Sequence, residues 1–101
     1  MIARIWKGRT LIAHQEEYTA FMKSKVLPDY SQTEGFVKLS FLQRTDEQFA
    51  YFELITYWEN MAVIKHFAGE DFEQAKYYPE DQKYLLEFPE KVTHYTVFAD
   101  K

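Results

Sequence analysis

Apolar positions alternate with polar ones along four stretches of the chain, and this period of two predicts four β-strands. The predicted strands cover residues 2–7, 36–44, 49–58 and 92–98. Gly8, Arg9 and Thr10 are expected to break the first strand, and Thr45, Asp46 and Glu47 supply turn residues between the second and third.

The third predicted strand is the most informative of the four. One of its faces carries Phe49, Tyr51, Glu53, Ile55 and Tyr57, and the other carries Ala50, Phe52, Leu54, Thr56 and Trp58. Both faces are largely apolar or aromatic, which is typical of a strand that is covered on both sides.

Helical spacing of apolar residues predicts helices between the strands. A first helix is expected over residues 12–26, ended by Pro28. A second is expected over 61–68, with Asn60 as its N-cap and Gly69 as its stop. Further helical turns are predicted over 70–76 and 80–88.

This order of elements, β-α-β-β-α-β, predicts an α+β protein with the ferredoxin-like arrangement. The chain would form one domain over residues 1–101, with a four-stranded antiparallel sheet and helices on one face. The other face is predicted to be too apolar for water. A second copy of the chain is expected to cover it, which gives a homodimer.

Composition and charge narrow the classes of function. Aromatic residues make up 19% of the 101 residues, a content suited to cores, interfaces and pockets for flat organic ligands. The net charge is −4, and no basic patch indicates a nucleic-acid partner. The chain contains no cysteine, and no stretch resembles a signal peptide or a membrane span, so the cytoplasm is the expected location.

Several segments together resemble a known family. They are Ala3-Arg4-Ile5-Trp6, Ile55-Thr56-Tyr57-Trp58-Glu59-Asn60, His66-Phe67-Ala68-Gly69-Glu70-Asp71-Phe72 and Val92-Thr93-His94-Tyr95-Thr96-Val97. With the order of elements, they resemble the antibiotic biosynthesis monooxygenase domain of the dimeric α/β-barrel superfamily, over nearly the whole chain.

The resemblance implies a homodimer with a pocket in each subunit, between the sheet and the helices. It also implies a monooxygenase that oxidises a phenolic or quinol-type ring with O2 and needs no metal or flavin. The family's tryptophan after the third strand is present as Trp58, whereas Leu54 stands where the polyketide-type members have an asparagine. The haem-degrading branch of the family has an asparagine, a tryptophan and a histidine where this chain has Trp6 or Lys7, His66 and Lys76, so haem degradation by that route is not expected.

Three residues are candidates for proton handling, namely His66, His94 and Tyr51. A histidine needs little tuning to act as a base near neutral pH. His66 is alternatively a partly exposed helix histidine, and His94 a buried histidine bonded across the sheet or the dimer interface. No two histidines have metal-ligand spacing, so no metal site is predicted.

Aromatic and charged strand residues are the candidates for the pocket wall, namely Trp6, Trp58 and Tyr57 with Arg4 and Glu53. A carboxylate in the middle of a strand must be paired, exposed or functional. Arg4 on the neighbouring strand is the predicted partner of Glu53. The pair would be structural, or would orient a substrate oxygen.

Two hypotheses of function therefore stand. One is a cofactor-independent oxidoreductase acting on a small aromatic molecule. The other is a non-catalytic dimer of the same fold that binds such a molecule.

Overall fold

The computed structural model describes all 101 residues. Its four strands form one antiparallel sheet in the order β2-β3-β1-β4. The strands are β1 (Ile2–Leu11), β2 (Phe36–Thr45), β3 (Phe49–Trp58) and β4 (Thr93–Thr96). With the helices that connect them, they confirm the predicted α+β, ferredoxin-like fold.

The first strand is longer than predicted, because Gly8 does not break it. The strand continues to Leu11, and Gly8 pairs with Phe52 of β3. A Cβ atom at position 8 would lie only 2.4 Å from the Trp6 ring. Gly8 therefore lets the Trp6 ring lie flat against the strand two residues further on.

The first helical region is also longer than predicted. A 3₁₀ turn (Ile12–His14) leads into α1 (Gln15–Phe21), a π-helical turn (Met22–Val26) and α2 (Leu27–Ser31). Proline normally ends a helix because its ring clashes with the preceding turn. Here the wider π-helical turn comes just before Pro28, with the Leu27 amide bonded to the Met22 carbonyl, and the helix continues.

The second strand begins with a bulge between Phe36 and Lys38. The bulge moves Phe36 to the face of Trp58, where the two rings meet edge to face with centroids 5.6 Å apart. Phe36 therefore does not share a face with Lys38, as strict alternation along the strand would require. A bulge shifts the alternation by one residue.

Helix α3 (Met61–Ala68) has its predicted bounds. The Asn60 side chain accepts a hydrogen bond from the Val63 amide, and Gly69 ends the helix with φ +93°. None of the helices combines the length and the apolar character that crossing a bilayer requires.

The segment between α3 and β4 is mostly irregular, and we call residues 69–92 the strap. The predicted helix over 70–76 is absent, and that over 80–88 is reduced to α4 (Asp81–Tyr84). After α4, Leu85 is extended and bridges to Thr10, and the Leu86 amide bonds to the Arg9 carbonyl. The strap thus bonds to β1, and it also bonds to itself where the Ala75 amide donates to the Glu90 carbonyl and the Val92 amide to the Glu73 carbonyl.

The core lies between the helical face of the sheet and the helices. Alternate residues of β3 are buried there, and the helical region contributes Tyr18, Met22, Val26 and Tyr30.

The opposite face of the sheet carries no helix, and we call it the open face. Its aromatic rings are covered by cations: Arg9 lies over Phe49, Arg44 over Tyr51 and Lys38 over Tyr57, at 4.4, 4.0 and 4.7 Å from the ring centroids. This face is therefore more charged than its alternation pattern predicted.

Candidate functional site

A narrow cavity of about 20 Å³ lies between the sheet and the helices. Sheet, helical region and strap all contribute to its wall, which consists of Arg4, Trp6, Tyr18, Met22, Val26, Tyr30, Leu54, Lys76, Tyr77, Tyr78, Asp81 and Val92. Four tyrosines and one tryptophan give the wall an aromatic surface, and two charged residues, Arg4 and Asp81, are buried in it.

Arg4 is a buried cation without an anionic partner. Its side chain on β1 is 3% exposed, and none of the ion pairs of the chain includes it. It donates hydrogen bonds to the Phe72 and Gln74 carbonyls of the strap, at 2.5 and 3.0 Å. Burial lowers the pKa of Arg4, since desolvation disfavours the charged form.

His94 on β4 is the third group that contacts the Arg4 guanidinium. Its Nε2 lies 3.1 Å from Arg4 Nη1. Because a guanidinium only donates, this nitrogen accepts and the imidazole is neutral. Burial and the Arg4 charge lower the pKa of His94, which favours the same neutral form.

Asp81 is the buried carboxylate of the cavity, with 3% exposure at the start of α4. Its Oδ1 accepts from the Tyr18 hydroxyl at 2.8 Å, and its Oδ2 accepts from the Tyr78 amide at 2.7 Å. Burial raises the pKa of Asp81 in spite of these two donors. The result is a dry carboxylate with a greater affinity for protons than an exposed one.

The Tyr30 hydroxyl lies in the field of both charges. Burial raises the pKa of Tyr30 to about 12, with opposing influences from the Arg4 cation and the Asp29 and Asp81 carboxylates. No hydrogen bond to the Tyr30 hydroxyl contributes to this shift. Tyr30 is 5% exposed and lines the cavity.

The remaining polar groups of the wall hydrogen-bond the strap to the helical region and to β1. Tyr78 donates to Asp29 Oδ2, which also accepts from Lys76 at 3.1 Å. Trp6 donates to the Tyr77 hydroxyl at 3.2 Å, and that hydroxyl donates to the Pro89 carbonyl at 2.5 Å.

The structure separates the predicted site residues into three groups. Arg4, Trp6, His94 and Trp58 lie on the helical face of the sheet, and the first two line the cavity. Tyr51, Glu53 and Tyr57 lie on the open face. His66 is exposed on α3 and does not line the cavity.

The predicted pair of Arg4 and Glu53 was wrong. The two residues lie on opposite faces of the sheet, because Arg4 pairs with Thr56 whereas Glu53 pairs with Lys7. The Lys7 ammonium is 3.7 Å from Glu53 Oε1, in an exposed ion pair.

Asp81 was not among the site residues predicted from the sequence. Its signal is the aromatic pair Tyr77-Tyr78 just before Pro79, which brings the following carboxylate into a ring-lined wall. Tyr18 and Tyr30 were not predicted as site residues either.

A second, larger depression of about 370 Å³ lies on the open face. Its charged groups Lys7, Arg44 and Glu53 are partly or fully solvent-exposed. The smaller cavity is the stronger candidate, because buried charges next to unpartnered polar groups are what binding and catalysis use. No three histidine or acidic side chains of the chain converge as metal ligands.

No model of a known protein family matches the sequence, and no curated protein matches it either. Solved structures do match its fold. One is a putative antibiotic biosynthesis monooxygenase from Bacillus cereus, 14% identical, with a TM-score of 0.65 over 99% of this chain and 95% of that one.

Two further matches are structures of MhuD. One is the haem degrader MhuD from Mycobacterium tuberculosis with two haems in its active site, 14% identical, with a TM-score of 0.66 over 100% of this chain and 99% of that one. The other is a MhuD mutant with two manganese protoporphyrin IX molecules per active site, 13% identical, with a TM-score of 0.63 over 100% and 98%. The predicted resemblance is thereby confirmed at the level of the fold.

Proposed function

We propose that this chain is an oxidoreductase that binds a small aromatic or quinol-type molecule in the cavity between sheet and helices. It oxidises this molecule with O2 and uses no resident cofactor. One observation carries the proposal: a ring-lined, buried wall holds a proton acceptor, Asp81, and an unpaired cation, Arg4. The fold shared with a putative monooxygenase supports the same class of reaction.

The reaction that fits this wall converts a phenolic ring to a quinone. One oxygen atom of O2 replaces a ring hydrogen and becomes a carbonyl, the phenol becomes the second carbonyl, and the other oxygen atom leaves as water. The substrate supplies all four electrons. The protein has to remove the phenolic proton and stabilise the anion that donates the electrons.

Asp81 is the proposed proton acceptor. The raised pKa of Asp81 lies closer to the pKa of a phenol than that of an exposed carboxylate does. Each of its oxygens keeps a lone pair beyond the hydrogen bond it already accepts. Arg4 is the proposed stabiliser of the anion, with His94 as the group that orients it. His66 and Tyr51, the other residues predicted from the sequence, lie away from this cavity.

Haem does not fit the residues of the cavity. Its walls include no histidine that could ligate haem iron. We therefore derive no step through haem, but haemin belongs in the ligand panel because MhuD has this fold.

Oxygen uptake by chelator-treated protein with 1-naphthol and substituted hydroquinones tests the proposal. We expect one O2 consumed per naphthol and a quinone product, above the rate of autoxidation. Asp81→Asn should lower the rate by about 10²-fold or more, the usual share of a general base. His66→Ala is the control and should keep the wild-type rate. Absence of uptake across the panel, or full activity in Asp81→Asn, would contradict the proposal.

Binding without turnover is the second candidate function. One observation favours it: both oxygens of Asp81 already accept hydrogen bonds, from Tyr18 and from the Tyr78 amide. A ligand that quenches the fluorescence of Trp6 without consuming O2 would support this candidate.

The open face supports a further proposal, that the chain forms a homodimer. Leu42 and Tyr95 are 47% and 56% exposed there, and the half-buried Ile5 and Ile55 lie between them. A second copy would cover these side chains.

A further inference from the structure

Arg4 is the most unusual group in the molecule, because its charge is buried and uncompensated. Its partners are two carbonyls and a neutral imidazole, all without charge. Burying a cation away from water is costly unless an anion accompanies it. Asp81, the other buried charge of the cavity, is bonded to Tyr18 and Tyr78 instead.

The Arg4 guanidinium also keeps unused donors. It has five N–H groups, and the protein accepts from three of them, two on Nη1 and one on Nη2. The remaining donors are one on Nε and one on Nη2. Two donors on one planar group match the two oxygens of a carboxylate.

Tyr30 provides a second, independent observation at the same place. Its hydroxyl is an unpartnered polar group on a side chain that is 5% exposed, and it lies in the wall of the cavity that Arg4 also lines. A hydroxyl that bonds no other group of the chain and lines a cavity is free to donate to a ligand there.

We propose that Arg4 and Tyr30 bind a planar carboxylate on the ligand, and that the ligand is therefore a small aromatic acid. This inference deepens the proposed function and relies on it for the site of binding. The acid group compensates the Arg4 charge and accepts from Tyr30, and the ring lies among Trp6, Tyr18 and Tyr77.

The strap is the wall that admits such a ring. A cavity of about 20 Å³ holds one water molecule, so a ring enters only when part of the wall moves. Arg4 holds the strap through the carbonyls of Phe72 and Gln74.

The test compares three dihydroxybenzenes, of which the acid and the amide have the same shape, with binding measured by calorimetry on the full chain. They are 2,5-dihydroxybenzoate, the neutral 2,5-dihydroxybenzamide and hydroquinone. The acid should bind about ten-fold or more tighter than the other two, because only it pairs with the buried cation. Arg4→Lys keeps the charge but loses the planar fork, and it should remove most of this preference. Arg44→Lys on the open face is the control and should preserve it.

Equal affinity for acid and amide, no binding of the acid, or an unchanged preference in Arg4→Lys would overturn the inference. If Arg4→Lys fails to fold, as judged by circular dichroism, Tyr30→Phe decides instead, with a several-fold loss of acid affinity expected and none for hydroquinone. Oxygen uptake is read separately. An acid that binds through Arg4 without O2 consumption would refute the proposed oxidation alone, whereas naphthol oxidation without preference for the acid would refute this inference alone.

Discussion

Asp81 illustrates how one side chain gains its chemistry from its neighbours. The carboxylate is buried, and the Tyr18 hydroxyl is its side-chain donor within the wall. Burial raises the pKa of Asp81, while the donation from Tyr18 lowers it by favouring the charged form. The same bond raises the pKa of Tyr18, after burial as the largest cause, so the phenol stays protonated and keeps donating.

Replacement of Tyr18 by phenylalanine should cost about 2 kcal/mol of the free energy of unfolding at pH 7, because a buried carboxylate loses a donor. The cost should shrink as the pH falls through the pKa of Asp81, since the protonated acid needs the donor less. Urea denaturation at several pH values measures both. Tyr84→Phe removes only an exposed bond to Glu17 and is the control, with a cost below about 0.5 kcal/mol. Equal costs in the two variants would contradict the expectation.

His94 also makes stability depend on pH. Burial and Arg4 lower its pKa below 6.5, and Glu73 opposes them. Between the lowered pKa and about 6.5 the unfolded chain binds more protons than the folded one, so stability rises with pH in this window. His94→Gln keeps an acceptor for Arg4 but does not titrate. The stability advantage of the wild type over this variant should be largest above pH 6.5 and should fall at lower pH. A difference that is constant from pH 5 to 8 would contradict this.

At the scale of elements, β1 shows why a glycine in mid-strand need not end the strand. Gly8 lies on the helical face next to Trp6, and the nearest ring carbons would be 2.4 and 2.6 Å from an added Cβ. The Trp6 ring can therefore occupy its position in the cavity wall only because residue 8 has no side chain.

Gly8→Ala should displace the Trp6 ring and destabilise the fold by about 1–3 kcal/mol, the usual cost of overpacking. A shift in tryptophan fluorescence should accompany the loss. The control is the same change in a Trp6→Leu background, where the methyl group has room and the cost should largely disappear. The same cost in both backgrounds would locate the strain elsewhere, for instance at Leu85, which is 3.3 Å away.

The sheet could be predicted from the sequence, and the strap could not, for a physical reason. The bounds of β3 and α3 follow from local alternation and from the cap Asn60. The strap follows bonds to distant parts of the chain: Arg4 holds the carbonyls at 72 and 74, and Arg9 accepts from Leu86. The local spacing of apolar residues cannot indicate bonds to distant residues. Helices were therefore predicted where the chain in fact bonds to β1.

The candidate site was half predicted for the same reason. Arg4, Trp6 and His94 could be recognised because strand residues keep a fixed face. Asp81 could not, since its burial depends on how the strap folds back over the helical region. The prediction placed Arg4 beside Glu53 because it took neighbouring strands into account but not the face on which each residue lies.

At the scale of the whole molecule, the open face decides the assembly. Its rings are covered by Arg9, Arg44 and Lys38, so the face can stand in water more easily than its apolar pattern implied. Cations over rings still leave Leu42 and Tyr95 exposed. Two copies related by a two-fold axis would bury these side chains and bring Lys7 and Glu53 of each copy to the interface.

The proposed dimer predicts a mass of twice 12.2 kDa by light scattering at micromolar concentration. Leu42→Glu should shift the mass to that of one chain, because it adds a carboxylate opposite Glu53, which pairs with Leu42 across the sheet, and like charges in an interface repel. Ala62→Glu places the same charge on the exposed side of α3 and should leave the dimer intact. A single-chain mass for the wild type would contradict the dimer and show that the cations over the rings are enough to keep the open face in water. In that case oxygen uptake and ligand binding would have to be explained from the cavity of a single chain.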